Sequence, residues 1–287
     1  MAKSSKLSQL SSRVSSKTKK KPKVKRPLAS FDKYAYYLNS VQAPDNDVTF
    51  MRDVYKELRG KNPEILREDF CGTFSICCEW AKLGPKYRAH GVDLDYEPIQ
   101  YGIANYLPKL SSSQQSRVQI HQENVLNPGL PRADIVCAMN FSHFIFKERA
   151  MMKSYFHNCY ATLNPGGIMI ADCFGGSACY EPNTDATPLK GFTYYWNEES
   201  FDPVTNNAVF HIHYKPNGQK KIEKVFTYDW RMWSIPEIRD MMLETGFRKT
   251  HVYWEGTTKK GEGDGNFKQV EKGEECQAWI AYIVGEK

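Results

Sequence analysis

Residues 61–175 alternate between short apolar runs and segments whose hydrophobic side chains recur at helical spacing. The apolar runs predict five strands, at Ile65–Cys71, Ala89–Leu94, Val118–Val125, Ala133–Met139 and Ile168–Phe174. Helices are predicted between them at Ser75–Lys82, Pro98–Leu107 and Lys147–Leu163, the last ended by Asn-Pro-Gly-Gly at 164–167. Because strands that alternate with helices pair in parallel, the pattern predicts an α/β fold with an open, doubly wound, mostly parallel sheet.

The pattern changes after the fifth strand. Three alternating segments, Phe192–Trp196, Ala208–Tyr214 and Lys224–Tyr228, are separated by turn signals, and they predict an antiparallel insertion after the fifth strand. Ser234 and Glu237 then match a capping box, which predicts the first turn of a helix.

The end of the chain predicts two closing strands. They lie at Phe247–Trp254 and Ala278–Val284 and are expected to form a hairpin around a polar loop at 256–275. We therefore expect a disordered tail at 1–30 and a single domain at 31–287. Its expected parts are N-terminal lid helices at 31–60, a core at 61–175, the insertion at 176–233, and a closing helix and strands at 234–287.

The net charge of +6 belongs to the tail. Residues 1–27 hold ten of the 39 Lys and Arg and no acid, so the rest of the chain has 29 bases against 33 acids, a net charge of −4. The run KTKKKPKVKR at 17–26 is a candidate nuclear-import signal or a loose nucleic-acid contact, and a solubilising leader explains it equally well.

The cysteines indicate a reducing compartment. Eight cysteines without regular spacing do not form a disulfide framework, and without a CxxC pair no metal site is expected.

No apolar stretch approaches the roughly 20 residues that span a bilayer, so no membrane partner is expected. We predict a cytoplasmic location, with a nuclear one as the alternative if residues 17–26 act as an import signal.

The turn after the first strand, EDFCGTF, has the position of a nucleotide-binding turn but few of its glycines. Asp93, 21 residues after Gly72, ends the second strand, where a carboxylate can accept both ribose hydroxyls of an adenosine group. Alone, such an aspartate is more often the cap of the next helix. Together with the turn, it favours a cofactor site.

The order ILREDFCGT, HGVDLD, ADIVCAMNFSHF and TLNPGGIMIADCF resembles the class I S-adenosylmethionine-dependent methyltransferases across residues 60–175. The later stretch FTYDWRMWSIPEIRDMMLETGFRKTHVYW resembles the closing region of small-molecule-type members of that superfamily. The resemblance implies a Rossmann-like methyltransferase fold, S-adenosyl-L-methionine as cofactor, and an enzyme that transfers a methyl group by in-line displacement.

Carried onto this chain, the resemblance implies a set of cofactor-binding residues. Glu68 would contact the methionine amino group, Asp93 the ribose and Asn124 the adenine amino group. The other implied residues are Phe70, Cys71, Gly72, Thr73, Leu94, Val125 and Asn140.

Phe70 and Phe74 depart from the family pattern, because each stands where a glycine is common. A bulky residue cannot take a positive φ cheaply, so we expect the turn to differ in detail or the rings to line the pocket. A dehydrogenase-type site fits less well, since a bulky loop cannot cradle a pyrophosphate.

The acceptor side is predicted from residue chemistry and from the resemblance. His143 and Asn140 are candidate catalytic groups, with a structural histidine as the equally good alternative for His143. Tyr37 and Tyr195 are candidate lid residues, grouped with the catalytic set. Tyr34, Trp196 and Arg231 are candidate substrate contacts, because rings stabilise cations and a guanidinium binds carboxylates.

The antiparallel insertion and the net negative charge of the chain outside the tail favour methyl transfer to nitrogen or oxygen of a small molecule. One alternative is an RNA or protein methyltransferase that uses the basic tail. A further alternative is a catalytically inactive cofactor-binding partner of another protein. The sequence leaves the acceptor and the oligomeric state open.

Overall fold

A computed structural model describes residues 31–258 and 263–287. The helices are α1 (Lys33–Ser40), α2 (Pro44–Arg59), α3 (Ser75–Lys82), α4 (Tyr96–Asn105), α5 (Ser112–Gln115), α6 (Arg149–Thr162) and α7 (Ile235–Glu244). The strands are β1 (Ile65–Asp69), β2 (Arg88–Asp93), β3 (Val118–Gln122), β4 (Ala133–Ala138), β5 (Leu163–Gly175), β6 (Asn183–Leu189), β7 (Phe192–Asp202), β8 (Asn207–Pro216), β9 (Ile222–Arg231), β10 (Lys249–Thr257), β11 (Gly263–Val270) and β12 (Trp279–Glu286). The predicted tail at 1–30 and its import signal lie outside the described residues.

The predicted α/β architecture is confirmed. Eight strands form one sheet in the order β11-β10-β12-β5-β4-β1-β2-β3, in which β1 pairs in parallel with β2 and β4, β2 with β3, and β4 with β5. The strand order reverses between β1 and β4, which is the switch point where such sheets bind ligands. A second sheet, β6-β7-β8-β9, is antiparallel throughout.

By its contacts the chain separates into two compact units, a finer division than the single domain expected from the sequence. The parallel unit comprises Pro44–Cys173, Trp233–Tyr253 and Tyr282–Lys287. The antiparallel unit comprises Phe174–Met232, Trp254–Ala281 and the described residues up to Ala43. The two helices expected together at 31–60 are therefore divided, with α1 in the antiparallel unit and α2 in the parallel one.

A buried ion pair on β1 links the parallel sheet to helix α6. Arg67 and Asp69 are both fully enclosed and alternate on β1, and the guanidinium donates to the carboxylate at 2.9 and 3.1 Å. Arg67 also donates to the Thr162 hydroxyl on α6 at 2.7 Å, and Tyr155 donates to Asp69 at 3.1 Å. Burial lowers the pKa of Arg67, but the charge and hydrogen bonds of Asp69, with smaller effects of nearby side chains, together raise it by more. The pKa therefore lies above its ordinary value and the guanidinium stays charged.

Helix α1 packs on the antiparallel sheet of its own unit. Tyr36 is 3% exposed, and its ring lies 4.3 Å from that of Phe192 and 5.4 Å from that of Tyr214. The Ser40 hydroxyl lies 3.1 Å from the Tyr214 hydroxyl. Aromatic contacts thus join the helix to β7 and β8.

Two predicted boundaries change, and strand pairing is the reason for both. Helix α6 ends at Thr162, and Asn-Pro-Gly-Gly at 164–167 lies inside β5, because Ala133 of β4 pairs with Leu163 before a bulge and the ladder resumes at Ile168. The predicted polar loop at 256–275 contains β11, which borders β10 at the sheet edge. The Ser234–Glu237 capping box is confirmed at the start of α7.

None of the eight cysteines forms a disulfide within residues 31–258 and 263–287, and seven of them are buried. Cys276 is the partly exposed one. Among the described helices, none combines the length and the hydrophobicity needed to cross a bilayer.

Candidate functional site

Three turns follow the carboxyl ends of β1, β2 and β4 at the switch point of the parallel unit. The strand register fixes their proximity, because Asp69, the last residue of β1, pairs with Val92 on one side and Ala138 on the other. The turn after β3 is joined to them by the Glu123 N–H, which donates to the Asp93 carbonyl at 3.0 Å. The predicted cofactor residues from Glu68 to Asn140 are therefore gathered at one edge of the sheet.

The turn between β1 and α3 has the backbone of a glycine turn, although Gly72 is the one glycine in it. Phe70, Gly72 and Phe74 have φ values of 58°, 51° and 48°, all in the left-handed region. We expected the phenylalanines to change the turn or to line a pocket. The turn keeps a positive φ at both, at a cost of about 1–2 kcal/mol for each non-glycine residue, and the lining of a pocket by the rings stays a prediction.

The packing of the two phenylalanine rings offsets that cost. Phe74 is fully enclosed against α4, where a Cβ added to Gly102 would lie 2.4 Å from the Phe74 ring. The Phe70 ring lies 5.6 Å from that of Tyr155 and 5.8 Å from that of Phe146. Burial of the Phe74 side chain stabilises the fold by about 1.5–3 kcal/mol, enough to hold the strained backbone there. Phe70 is partly exposed, and its two ring contacts stabilise its position.

Asp93 joins this turn to the next one. Its carboxylate accepts the Gly72 N–H at 2.7 Å on Oδ2 and the Asp95 N–H at 2.8 Å on Oδ1. Burial raises its pKa, and the two backbone hydrogen bonds act in the opposite direction. Each carboxylate oxygen can accept a second hydrogen bond. The adjacent Leu94 side chain is 65% exposed, which leaves an apolar surface beside the carboxylate.

Glu68 is a buried carboxylate on β1 that accepts hydrogen bonds from the first turn of α3. It is 3% exposed, and its Oε2 accepts the backbone N–H of Cys77 at 3.1 Å and the Cys77 thiol at 3.1 Å. Its Oε1 has no hydrogen-bond partner within 31–258 and 263–287. Burial raises the pKa of Glu68 to about 8, the bonds from Cys77 lower it, and Asp47 and Asp93 raise it further.

Asn124 begins the turn after β3 but is partly engaged. Its side-chain oxygen accepts the Leu126 N–H at 2.9 Å, which forms a local turn. Val125 is 4% exposed, and its carbonyl accepts from the Asn158 side chain at 3.1 Å. The oxygen expected to bind adenine thus already has one donor.

Asn140 and Phe141 form a second strained turn, after β4. Their φ values are 58° and 60°, and the fully buried Asp172 on β5 accepts the N–H of Asn140 at 2.7 Å and that of Phe141 at 2.8 Å. One carboxylate therefore holds two consecutive left-handed residues. Strain of this kind is concentrated at functional sites, so this turn is a second candidate element of the site.

No model of a known protein family matches the sequence, and no curated protein matches it. Solved structures match over nearly their whole length. The CcbJ methyltransferase from Streptomyces caelestis is 16% identical, with a TM-score of 0.60 over 84% of this chain and 95% of that one. The sugar N-methyltransferase KedS8 from Streptoalloteichus sp. is 15% identical, with a TM-score of 0.60 over 93% and 97%.

A third match is CalS10, an amino pentose methyltransferase from Micromonospora echinaspora, solved with S-adenosylmethionine bound. It is 14% identical, with a TM-score of 0.61 over 90% of this chain and 98% of that one. This chain has the class I S-adenosylmethionine-dependent methyltransferase fold. At these identities the likeness concerns the fold alone.

His143, a predicted catalytic residue of this methyltransferase fold, is fully enclosed in the short 3₁₀ helix Ser142–Ile145. Neither ring nitrogen has a hydrogen-bond partner in the described chain, and burial lowers the pKa of the ring to about 3. The histidine is therefore neutral near pH 7.

The predicted acceptor residues of the methyltransferase fold belong to the antiparallel unit. Tyr37 packs on Phe226 with the ring centres 5.0 Å apart, and the Tyr34 ring lies 6.2 Å from the same phenylalanine. Arg231 ends β9, opposite Asn207 of β8.

Tyr195 and Trp196 are neighbours on β7, so they lie on opposite faces of the antiparallel sheet. Trp196 is 3% exposed, whereas the Tyr195 ring lies beneath the ammonium group of Lys221 at 4.6 Å. One acceptor bound on a single face therefore does not contact both residues.

Two residues of this site are absent from the sequence analysis. Asp172 is a lone acid in the apolar strand IMIADCF, a signal that such a buried charge has a specific partner. Asp47, on α2, is 6% exposed and accepts the Tyr282 hydroxyl at 3.2 Å. Nothing in its local pattern indicates that it influences Glu68.

Proposed function

We propose that the protein is an S-adenosylmethionine-dependent methyltransferase that methylates nitrogen or oxygen of a small molecule. The observation that carries the proposal is the pair of carboxylates, Glu68 and Asp93, on either side of the left-handed turn at the switch point. A turn with this backbone brings main-chain N–H groups and acids together where the fold binds adenosine groups.

The charges at the turn fit the cofactor. S-adenosylmethionine carries an ammonium group and a sulfonium group, and Glu68 is enclosed next to the acids Asp47 and Asp93. Cations lower the free energy of such a cluster. Glu68 Oε1 would accept from the amino group, Asp93 would accept from the ribose hydroxyls, and the exposed Leu94 would pack on adenine.

The same turn is unsuited to a dinucleotide. Phe70 and Phe74 place Cβ atoms and rings in this turn, whereas a pyrophosphate needs a glycine backbone that it can approach closely. A sulfonium amino acid has no pyrophosphate, so the rings do not exclude it.

When bound, S-adenosylmethionine supplies a methyl group on a positively charged sulfur. The chain then has to orient the acceptor and exclude water, since in-line displacement depends mostly on alignment. Asn140, on the strained turn after β4, is suited to orient an acceptor. A neutral amine needs no base, and that agrees with the enclosed, neutral His143. Tyr37 and Tyr195 stay predicted lid residues, and Tyr34, Trp196 and Arg231 stay predicted substrate contacts.

Two observations support a small-molecule acceptor. The chain outside the basic tail is acidic, which disfavours a polyanion. KedS8 and CalS10, whose folds this chain shares, are named as methyltransferases of a sugar nitrogen and of an amino pentose. The cytoplasmic location, the nuclear alternative and the use of the tail stay predictions.

Calorimetric titration of the full chain tests the cofactor. We expect S-adenosylmethionine and S-adenosylhomocysteine to bind and NAD⁺ to give no heat, because only NAD⁺ contains a pyrophosphate. Heat from NAD⁺ alone would contradict the proposal. Binding can then be extended to turnover with methyl-labelled cofactor and separate small-molecule, RNA and protein fractions of a cell extract. Label in the small-molecule fraction is the expected result, and binding without any transfer would favour an inactive partner protein.

Glu68→Gln is expected to weaken binding of S-adenosylmethionine about tenfold and to stabilise the protein at alkaline pH. The affinity falls because a charged acceptor for the amino group is lost. The pKa of Glu68 is raised on folding, so its contribution to stability is present at acidic pH and is lost as the pH rises towards 8. Glutamine does not titrate, so the melting temperature of the variant relative to the parent should rise between pH 5.5 and pH 9.

The control for this prediction is Glu64→Gln, at the exposed position just before the same strand. It should leave both the affinity and the pH dependence of the melting temperature unchanged. An unchanged affinity in Glu68→Gln would remove Glu68 from the cofactor site.

A further inference from the structure

Glu198 on β7 is a buried carboxylate without any partner. Its side chain is 1% exposed, and neither Oε1 nor Oε2 accepts a hydrogen bond from the described chain. Its electrostatic neighbour is a like charge, Glu181. Burial, and to a smaller extent Glu181, raise the pKa of Glu198 to about 8. The rest of the antiparallel unit therefore neither neutralises nor hydrogen-bonds this acid.

A second unsatisfied polar group lies on the same face of the same strand. Trp196, two residues before Glu198, is 3% exposed, and its indole Nε1–H is buried without an acceptor in the described residues. Phe210 pairs with Glu198 across the β7–β8 ladder and stacks on the Trp196 ring at 5.0 Å and 18°. The acid and the indole thus share one face with Phe210.

This face is also rich in aromatic rings. The Trp196 ring lies 5.9 Å from that of Tyr228 and 6.3 Å from that of Trp230, both on β9. Phe174 contacts Trp196 edge-on at 6.3 Å. Aromatic faces attract organic cations, and most strongly where water is excluded.

The two oxygens of Glu198 and the indole N–H of Trp196 are buried without hydrogen bonds, and this is energetically unfavourable. A buried carboxylate without a partner costs several kcal/mol, and a buried N–H without an acceptor costs about 1–3 kcal/mol. A ligand that donates N–H groups to the acid and accepts from the indole removes both costs at once. An ammonium ion supplies the donors, and a nearby oxygen of the same molecule supplies the acceptor.

We propose that this face of the antiparallel sheet binds a protonated amine that has a hydroxyl or ether oxygen a few bonds from the nitrogen. The ammonium group donates to Glu198, the oxygen accepts from Trp196 Nε1, and the aromatic rings surround the carbon atoms. All of these residues belong to the antiparallel unit.

Three probes of nearly equal size test the proposal in the full chain. They are trans-2-aminocyclohexanol, cyclohexylamine and cyclohexanol, which present both groups, the ammonium alone and the hydroxyl alone. Titration calorimetry or tryptophan fluorescence should rank them in that order, with the amino alcohol at least about tenfold tighter than cyclohexanol. Equal binding of the three probes, or no binding by any of them, would overturn the proposal without recourse to variants.

Two substitutions assign the groups. Glu198→Gln should weaken both amines about tenfold or more and leave cyclohexanol unchanged. Trp196→Phe keeps a ring but removes the donor, so it should abolish the advantage of the amino alcohol over cyclohexylamine. Glu223→Gln is the control, an exposed acid on β9 of the same sheet whose loss should change none of the three affinities.

The purely structural alternative makes a different prediction. If Glu198 is a protonated acid without a ligand, Glu198→Gln retains amine binding at the parent level, and that result overturns the proposal. Glu198→Gln should bind S-adenosylmethionine normally. If Glu198→Gln loses amine binding but binds the cofactor normally, the amine site is supported. If the parent chain does not bind S-adenosylmethionine, the methyltransferase function is contradicted, but the ranking of the three probes still tests the amine site.

Discussion

The Asp93→Ala variant is expected to bind S-adenosylmethionine about 10- to 150-fold more weakly than the parent. The lost carboxylate accepts the Gly72 N–H at 2.7 Å and, on the proposed function, both ribose hydroxyls. Hydrogen bonds to a charged group contribute about 1.5–3 kcal/mol, which corresponds to that range of affinity. Titration calorimetry of the two proteins under one buffer condition measures the difference.

Asp95→Ala is the control for this experiment. Asp95 caps α4 by accepting the Glu97 N–H at 3.0 Å, so its loss should cost about 1 kcal/mol of folding stability. We expect its cofactor affinity to stay within about threefold of the parent, since a cap holds the helix and not the ligand. Equal affinities of Asp93→Ala and the parent would show that the half-buried aspartate is only a local turn residue.

Asp172→Asn should destabilise the protein by about 2–4 kcal/mol and weaken cofactor binding. The amide retains one acceptor and places a donor against the other backbone N–H, so one buried N–H of the Asn140–Phe141 turn loses its partner. The free energy of unfolding in urea and the affinity for S-adenosylmethionine are the two measurements. We expect a coupling of at least about 0.5 kcal/mol with Asn140→Gly, because glycine relaxes the positive φ that Asp172 holds.

Asp134→Asn provides the comparison. Its carboxylate also holds two consecutive backbone N–H groups, those of Glu64 at 2.8 Å and Ile65 at 3.0 Å, but at the amino end of the strands. This variant should lose stability, keep its cofactor affinity and show no coupling to Asn140→Gly. If Asp172→Asn behaves in the same way, Asp172 is a structural residue and does not position the turn.

The strand and helix pattern of residues 61–175 was sufficient to predict the parallel sheet and the edge at which its acids gather. Buried parallel strands are nearly all apolar, so their ends and the charged residues that follow are visible in the sequence. Asp93 is the clearest case, because its distance from Gly72 and its place at a strand end are both local properties.

The missed features depend on pairing between distant residues. β11 is a polar segment, and its identity as a strand is set by pairing at the edge of the sheet and not by periodicity. The bulge that draws Asn-Pro-Gly-Gly into β5 likewise depends on its pairing with β4. In the same way, Asp172 gains its meaning from two backbone N–H groups 31 and 32 residues away.

Phe70 and Phe74 show how local preference and tertiary packing compete. A rule based on glycine predicts an altered turn, because the left-handed region is costly for phenylalanine. The enclosed Phe74 ring and the contacts of Phe70 with two other rings outweigh that cost. A search for cofactor turns by their glycines alone would pass over this chain.

The distribution of thiols makes the protein convenient for spectroscopy. Because seven of the eight cysteines are buried and Cys276 is partly exposed, a maleimide dye added to the native protein should attach at Cys276. Cys276 lies in the antiparallel unit, so one reporter can be placed in the same unit as Glu198 without any mutation. Fluorescence from that dye would follow amine and cofactor titrations in the natural sequence.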